Sequence, residues 1–264
     1  MTKYDVIGDI HGFADKLEDL LKLLGYRQDG QSYIPPNGRK ALFLGDLIDR
    51  GPQQMRVLEI VRSMVDASHA LCIMGNHEFN AIAYATEDPL NPGERLRPNR
   101  GDTVKCRKNR EQHAEFLAQV NEGSVQYLGW IEWFRTLPPF MDLGGIRVVH
   151  GCWDDASVAA LNAGGWGQTE PLSQEVLLEV CRIEENGERV SDDEGAKTAD
   201  LRAGAAIARG QVHSGQVRSP TQRHPYCQLA GLGHAVTRSG LDTGWAGRTT
   251  SGDGVAVRVG DFSH

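Results

Sequence analysis

The fold of this chain is indicated most clearly by the stretch ALFLGDLIDRG at residues 41–51. Its first four residues are a short aliphatic run, which predicts a buried strand. That strand delivers two carboxylates, Asp46 and Asp49, and one guanidinium, Arg50, to its C-terminal end. Carboxylates this close repel each other unless protons or cations neutralise them, and Arg50 alone does not balance the charge. Taken alone, the stretch fits either a strand-to-helix turn with a surface ion pair or a metal site.

A second strand is predicted at residues 4–7, and it runs into GDIHG at residues 8–12. Side chains two residues apart on an extended chain point the same way, so Asp9 and His11 converge on one point, as metal ligands do. By itself an Asp-x-His pair is more often structural. Apolar residues with helical spacing follow over residues 13–24.

A third strand is predicted at residues 70–74, and it ends in GNHE at residues 75–78. Asn76 offers a carbonyl oxygen, and His77 can carry a proton near neutral pH. A helical pattern over residues 55–65 separates this strand from the central stretch. Strands that alternate with helices predict a parallel sheet, in which ligands bind beyond the strand C-termini. The three polar clusters are therefore expected at one edge of the sheet.

Composition limits the classes of function. The chain has 264 residues and a formal net charge of -7, which disfavours general nucleic-acid binding because that needs a basic surface. No apolar stretch approaches the ~20 residues that a membrane span requires, and the first residues lack the apolar segment of a signal peptide. The five scattered cysteines show no CxxC spacing, so neither a disulfide framework nor a zinc ribbon is indicated. We expect a cytoplasmic, reduced protein.

Taken together, the three motifs resemble those of the calcineurin-like metallophosphoesterases. They are Gly-Asp-x-His-Gly, Gly-Asp-x-x-Asp-Arg-Gly and Gly-Asn-His-Glu, in this order. The phosphoprotein phosphatase branch, which includes bacterial diadenosine tetraphosphatases, is the most similar. The resemblance covers residues 1–155 well and the remainder poorly. It implies a single α/β domain over residues 1–264, in which a β-sandwich is flanked by helices in a four-layer α/β/β/α arrangement.

The resemblance also implies roles for the motif residues. His77 would be the general acid for the leaving group, oriented by Asp49, and Arg50 would bind the phosphate oxygens. Two divalent metal ions would be held. Mixed oxygen and nitrogen ligands suit Mn²⁺, with Fe or Zn as alternatives. The implied ligands from the three motifs are Asp9 and His11 for the first ion, Asp46 as the bridge, and Asn76 for the second ion.

The remaining ligands of the second ion are expected later in the chain. A hairpin predicted over residues 140–149 ends in His150, where the family has a metal-binding histidine. A last histidine is expected in a Gly-His pair, and His234 is preferred to His213 because its neighbours fit better. From residue 184 the chain matches the family poorly, and its composition indicates loop or disorder. Translation of part of this tail from a shifted reading frame is one explanation.

Residues 81–137 are expected to form a helical and basic cap insertion, with helices over residues 111–120 and 127–137. A basic segment, residues 95–110, stands out in a chain of negative net charge. It fits either a solvated loop or a cap that binds polyphosphate or phosphopeptide, since arginine and lysine attract anions. Its basic residues are Arg95, Arg97, Arg100, Lys105, Arg107, Lys108 and Arg110.

The expected function is hydrolysis of a phosphate ester or anhydride by metal-activated water. Bis(5'-nucleosyl)-tetraphosphatase-like activity on a dinucleoside polyphosphate is the first choice. The alternative is a phosphoserine/threonine protein phosphatase that acts on a phosphoprotein, because the core motifs are shared. A metal-binding regulatory protein that has lost turnover through its tail is an alternative of another class. The intact motif residues argue against that alternative, and the uncertain last ligand argues for it.

Overall fold

The computed structural model describes residues 2–144, 146–151, 153–181, 248–250 and 256–260. Its strands, in chain order, are β1 (Lys3–Ile7), β2 (Arg27–Asp29), β3 (Ser32–Ile34), β4 (Arg39–Phe43), β5 (Ala70–Cys72), β6 (Phe140–Asp142), β7 (Arg147–Val149), β8 (Arg248–Thr250) and β9 (Ala256–Gly260). Its helices are α1 (Ala14–Leu23), α2 (Gln54–Asp66), α3 (Asn76–Ala85), α4 (Val104–Val120), α5 (Val125–Arg135), α6 (Asp155–Ala163) and α7 (Gln174–Cys181).

Five strands form the main sheet, in the order β5-β4-β1-β9-β8. The first four run parallel to one another, and β8 pairs antiparallel with β9. The last residues of β1, β4 and β5 lie in register, since Ile7 pairs with Phe43 and Phe43 pairs with Cys72. The polar segments that follow these strands therefore leave the sheet at one edge. The predicted mixed α/β architecture with a parallel sheet is confirmed.

Different elements bury the two faces of this sheet. Ile7 and Phe43 belong to a core cluster that includes buried residues of helices α1, α2, α3 and α5. Val6 and Leu42, their neighbours along the strands, instead cluster with Met141 of the β6–β7 hairpin. Alternation between two faces is the result of the two-residue period of a strand. Helices, sheet and hairpin thus form successive layers, and the fourth layer of the expected sandwich stays a prediction.

The helix that carries half of the basic segment begins earlier than the sequence pattern predicted. α4 begins at Val104, not at Glu111, because the side chain of Thr103 caps it by accepting a hydrogen bond from the N–H of Cys106 at 3.1 Å. The lysines and arginines that follow are good helix formers. The second half of the basic segment is therefore helical rather than a loop. The hairpin predicted over residues 140–149 is confirmed by the antiparallel pairing of β6 and β7.

Within the described ranges, no helix is both long and apolar enough to cross a membrane. His213, His234 and residues 184–226 lie outside the described residues. The expectation of one domain over residues 1–264, with residues 81–137 as a cap, stays a prediction.

Candidate metal centre

Three loops converge at the C-terminal edge of the parallel sheet. Residues 8–12 follow β1 and residues 45–51 follow β4. The third loop follows β5 and ends at Gly75, after which residues 76–78 form the first turn of α3. The first two loops are joined through their backbones, because the N–H of His11 donates to the carbonyl of Asp46 at 2.8 Å. The structure therefore brings the three sequence motifs together at the predicted edge.

Four residues of these loops adopt left-handed backbone conformations. They are His11 (φ 48°), Asp46 (φ 51°), Asp49 (φ 70°) and Arg50 (φ 67°). For a residue with a Cβ atom this conformation costs roughly 1–2 kcal/mol. Such strain persists only where the surrounding structure holds it in place, and it concentrates at functional sites.

The second and third loops pack backbone against backbone. A Cβ atom on Gly75 would lie only 2.2 Å from the backbone nitrogen of Asp46, so this contact requires glycine. The fully buried Glu78 binds the two loops together. Its Oε2 accepts from the N–H groups of Asp46 and Gly75, both at 2.9 Å, and its Oε1 accepts from the N–H of Leu47 at 2.8 Å. Burial, together with the charge of Asp46, raises the pKa of Glu78 to about 7.

Three histidines present their Nε2 atoms to the Asp46 carboxylate. The distances to its Oδ2 are 3.4 Å for His150, 3.7 Å for His11 and 3.9 Å for His77. In His11 and His150 the Nδ1 atom donates to a backbone carbonyl, that of Ile48 at 3.0 Å and that of Leu44 at 2.7 Å. A carbonyl on one ring nitrogen fixes the ring and leaves the other nitrogen for a metal, which is the usual arrangement of metal-binding histidines.

The donor atoms form two groups that share Asp46. Within each group the donor atoms lie within 4.8 Å of one another. One end of the Asn76 amide also reaches the second group, 2.9 Å from Nε2 of His150 and 3.1 Å from Oδ2 of Asp46. A carboxylate shared by two donor groups fits a pair of cations. The first group consists of His11, Asp46 and His77, and the second of Asp9, Asp46 and His150.

The residues at this edge fit divalent cations. Nε2 of His11 is buried and has no hydrogen-bond partner among the described residues. Burial opposes the charge of Asp46, yet the neighbouring histidines, His150 first, hold the pKa of its carboxyl well below the usual range. Burial likewise opposes the charge of His150, yet Asp46 raises the pKa of His150 to about 9. Carboxylate, imidazole and amide donors of this kind suit Mn²⁺, Fe or Zn.

Asp49 holds the imidazole of His77. Nδ1 of His77 lies 2.5 Å from Oδ2 of Asp49, and Nδ1 of His113, from α4, lies 2.8 Å from Oδ1. Burial opposes both charges, but the hydrogen bonds from His113 and His77 keep the pKa of Asp49 low, and the bond to Asp49 raises the pKa of His77. A histidine with one nitrogen on a carboxylate and the other facing the site can deliver a proton.

Arg97 is the member of the basic segment that reaches toward this pair. Its guanidinium donates to Oδ1 of Asn80 at 2.6 Å and to Oε1 of Gln112 at 2.7 Å. The amide nitrogen of Gln112 lies 3.5 Å from Nε2 of His77. Arg50, in contrast, is exposed at the rim of the site. Other arginines of the basic segment donate to carbonyls of the loop over residues 93–102, namely Arg100, Arg107 and Arg110.

Sequence reasoning missed two residues of the site. His113 shares one helical face with Phe116 and Val120, and that spacing predicts burial but not contact with a carboxylate 64 residues earlier. For Glu78 the sequence indicates membership of the third motif but no role of its own. An acid in the first turn of a helix that follows a glycine is a signal for such a backbone clamp. The last expected ligand, His234 or His213, lies outside the described residues.

A family model and the curated relatives of this chain both describe phosphoesterases. Residues 2–159 match the family model described as calcineurin-like phosphoesterase. The bis(5'-nucleosyl)-tetraphosphatase PrpE (asymmetrical) of Anoxybacillus flavithermus is 49% identical over 74 residues, which are 28% of this chain and 30% of that protein. The protein of the same name from Halalkalibacterium halodurans is 44% identical over 124 residues, 46% of this chain and 48% of that protein. This chain therefore spans less than half the length of these curated relatives.

Among solved structures, one similar chain is a protein serine/threonine phosphatase from Saccharomyces cerevisiae with similarity to human phosphatase PP5. The match covers 75% of this chain and 48% of that chain, at 15% sequence identity and a TM-score of 0.38.

Proposed function

The chain belongs to the calcineurin-like phosphoesterase family, and from this membership we propose that it hydrolyses a phosphate ester or anhydride at a centre of two divalent metal ions. The observation that carries the proposal is that Asp46 faces two histidines. One is His11, whose Nε2 lies 3.9 Å from Asp9, and the other is His150, whose Nε2 lies 2.9 Å from the Asn76 amide. When bound, two such ions neutralise phosphate charge and activate a water molecule. Mn²⁺ is the first choice for both ions. The residues that would hold them are Asp9, His11, Asp46, Asn76 and His150, with His234 as the proposed last ligand.

His77 is proposed to protonate the leaving oxygen from its Nε2 atom. Its Nδ1 is held by the Asp49 carboxylate, whereas the ligand histidines His11 and His150 place Nδ1 on neutral carbonyls. A charged partner stabilises the protonated ring, as a proton donor needs. Arg50 is proposed to bind the phosphate oxygens from the exposed rim, since a guanidinium fork matches phosphate geometry.

The proposed substrate is a dinucleoside polyphosphate. A leaving group that takes a proton from Nε2 of His77 would lie beside the amide nitrogen of Gln112. The amide oxygen of the same side chain accepts a hydrogen bond from Arg97. Positive charge at this position favours a leaving group that is itself an anion, such as a nucleotide, over a neutral serine hydroxyl. The curated relatives that carry the name bis(5'-nucleosyl)-tetraphosphatase support the same choice.

The test compares hydrolysis of diadenosine tetraphosphate, a phosphoserine peptide and an aryl phosphate by the purified chain with Mn²⁺. We expect the highest kcat/KM on the tetraphosphate, and no turnover in Asp46→Asn. Arg97→Ala is expected to lower kcat/KM on the tetraphosphate by about 10-fold or more. It removes the positive charge behind Gln112 and the charge-assisted hydrogen bond that holds Gln112, a bond type that contributes about 1.5–3 kcal/mol. The fold-loss of kcat/KM in this variant should be smaller on the aryl phosphate. Arg100→Ala is the matched control, since Arg100 is exposed and donates to the carbonyl of Gly93.

Two other outcomes would select the alternative functions. A preference for the phosphopeptide that Arg97→Ala does not change would indicate a protein phosphatase. Metal binding without turnover on any substrate would indicate a regulatory protein. The proposed compartment is the cytoplasm, and the free thiols of Cys72 and Cys106 support it, because reduced cysteines are typical there.

A further inference from the structure

Asp49 is bound at both carboxylate oxygens by imidazoles. His77 occupies Oδ2 at 2.5 Å and His113 occupies Oδ1 at 2.8 Å. The backbone N–H of Asp49 also donates, to Oε1 of Gln54 at 2.9 Å. Asp49 and His113 are only 1% and 3% exposed. The carboxylate is therefore fixed in one plane, although the last torsion of an aspartate is otherwise broad.

Packing alone does not account for a histidine at position 113. The residue lies on the buried side of α4, and its ring centroid is 5.0 Å from the rings of both Tyr84 and Phe116. Because Nδ1 uses its proton to donate to Asp49, Nε2 is left buried, without a hydrogen-bond partner among the described residues. Such an unpaired atom costs about 1–3 kcal/mol. An apolar side chain would fill the same space without that cost.

Helix α4 meets the His77–Asp49 pair with two consecutive residues. Gln112 lies 3.5 Å from Nε2 of His77, and His113 binds the far side of the Asp49 carboxylate. A carboxylate held on its far side presents its other oxygen to Nδ1 of His77 in one direction. The direction of Nε2, on the opposite side of the ring, is fixed as a consequence.

We propose that His113 is a positioning residue, which fixes Asp49 and thereby holds His77 in the orientation that protonates the leaving group. This inference rests on the proposed phosphoesterase function and extends it by one residue. It carries a kinetic signature. A phosphate ester with a poor leaving group needs the proton in the transition state, and an ester with a good leaving group needs it much less. Loss of His113 therefore affects the first ester more.

The experiment measures kcat with Mn²⁺ on phenyl phosphate and on 4-nitrophenyl phosphate. His113→Phe keeps an aromatic ring and removes the donor, whereas His113→Asn keeps an N–H donor near the position of Nδ1. We expect His113→Phe to lower kcat on phenyl phosphate by on the order of 10²-fold, a typical contribution of general acid catalysis. The fold-loss of kcat on 4-nitrophenyl phosphate should be smaller than this by a factor of about 10 or more. His113→Asn should recover most of the kcat that His113→Phe loses on phenyl phosphate. Equal losses on the two esters, or no recovery in His113→Asn, would overturn the proposal.

Proton NMR of the full chain separates the positioning from the proposed function. The ring proton between Nδ1 of His77 and Asp49 should give a slowly exchanging downfield signal in the wild type and in His113→Asn. It should exchange away in His113→Phe, and an unchanged signal there would overturn the positioning. Loss of the signal in His113→Phe, combined with a wild type that hydrolyses neither ester, would support the positioning and overturn the phosphoesterase proposal.

Discussion

Replacement of Gly75 by alanine tests how closely the loops of the metal centre pack. The backbone of Gly75 is extended, with φ -93° and ψ 174°, and alanine adopts this conformation without strain. The substitution therefore adds one Cβ atom and changes little else. That atom would lie 2.2 Å from the backbone nitrogen of Asp46 and 2.4 Å from its Oδ1. Neither atom belongs to a long flexible side chain that could swing aside.

The size of the effect follows from this contact. To restore ordinary van der Waals separation, the loops that carry Asp46 and Gly75 must part by about 1 Å. Parting lengthens the 2.9 Å bonds that both loops make to Glu78. Overpacking of this kind costs about 1–3 kcal/mol in the free energy of unfolding. It also moves Asn76 away from Asp46, and a displacement of 1 Å at a catalytic centre lowers the rate by on the order of 10²-fold.

Two assays measure these effects, urea unfolding and kcat/KM on 4-nitrophenyl phosphate with Mn²⁺. The control is Gly129→Ala, in the middle of α5, where an added Cβ meets no atom within 4 Å. We expect the free energy of unfolding of this control to rise by about 0.5–1 kcal/mol, because glycine is unfavourable inside a helix. Its activity should not change. If Gly75→Ala matched the wild type in both assays, the close contact between the two loops, and the reasoning built on it, would be wrong.

Three further predictions address the core, the rim and the ions. Arg39→Ala removes the side chain that donates to both carboxylate oxygens of the fully buried Asp5, and it should lower the free energy of unfolding in urea by about 3–5 kcal/mol. Lys22→Ala breaks an exposed ion pair and should lower it by less than about 1 kcal/mol. Similar losses in the two variants would contradict this prediction. Arg50→Ala should raise KM for an aryl phosphate by about 10-fold, through loss of charge-assisted hydrogen bonds, and an unchanged KM would remove Arg50 from the binding site. Chelation of the ions should lower the melting temperature, since a metal at 100 times its Kd stabilises the fold by about 2.7 kcal/mol. An unchanged melting temperature would show that no ion is bound.

The sequence was sufficient to predict where the chemistry lies. Each motif follows an apolar run, and the rule that parallel strands bind ligands beyond their C-termini places Asp9, Asp46 and Asn76 at one edge. The in-register ends of β1, β4 and β5 produce that result in the structure. His150 reaches the same place from a separate hairpin, and its distance of 3.4 Å from Asp46 could be expected only through the family resemblance.

The contacts that hold the site together could not be predicted from the sequence. Glu78 accepts from N–H groups of a loop about 30 residues earlier, and His113 meets a carboxylate 64 residues earlier. Local periodicity predicts that such residues are buried, but it carries no information about which distant group each one meets. The early start of α4 was missed for a different reason. The capping signal of Thr103 is a single residue within a segment interpreted by its charge.

The central proposal is that the Asp46 carboxylate would serve two metal ions, and its most direct test is the number of Mn²⁺ ions bound per chain at equilibrium. We expect two ions in the wild type and at most one in Asp46→Asn, whose side chain keeps the shape of aspartate and loses the charge that both donor groups share. A wild type that binds no ion, or an Asp46→Asn variant that binds two ions with unchanged affinity, would contradict the account.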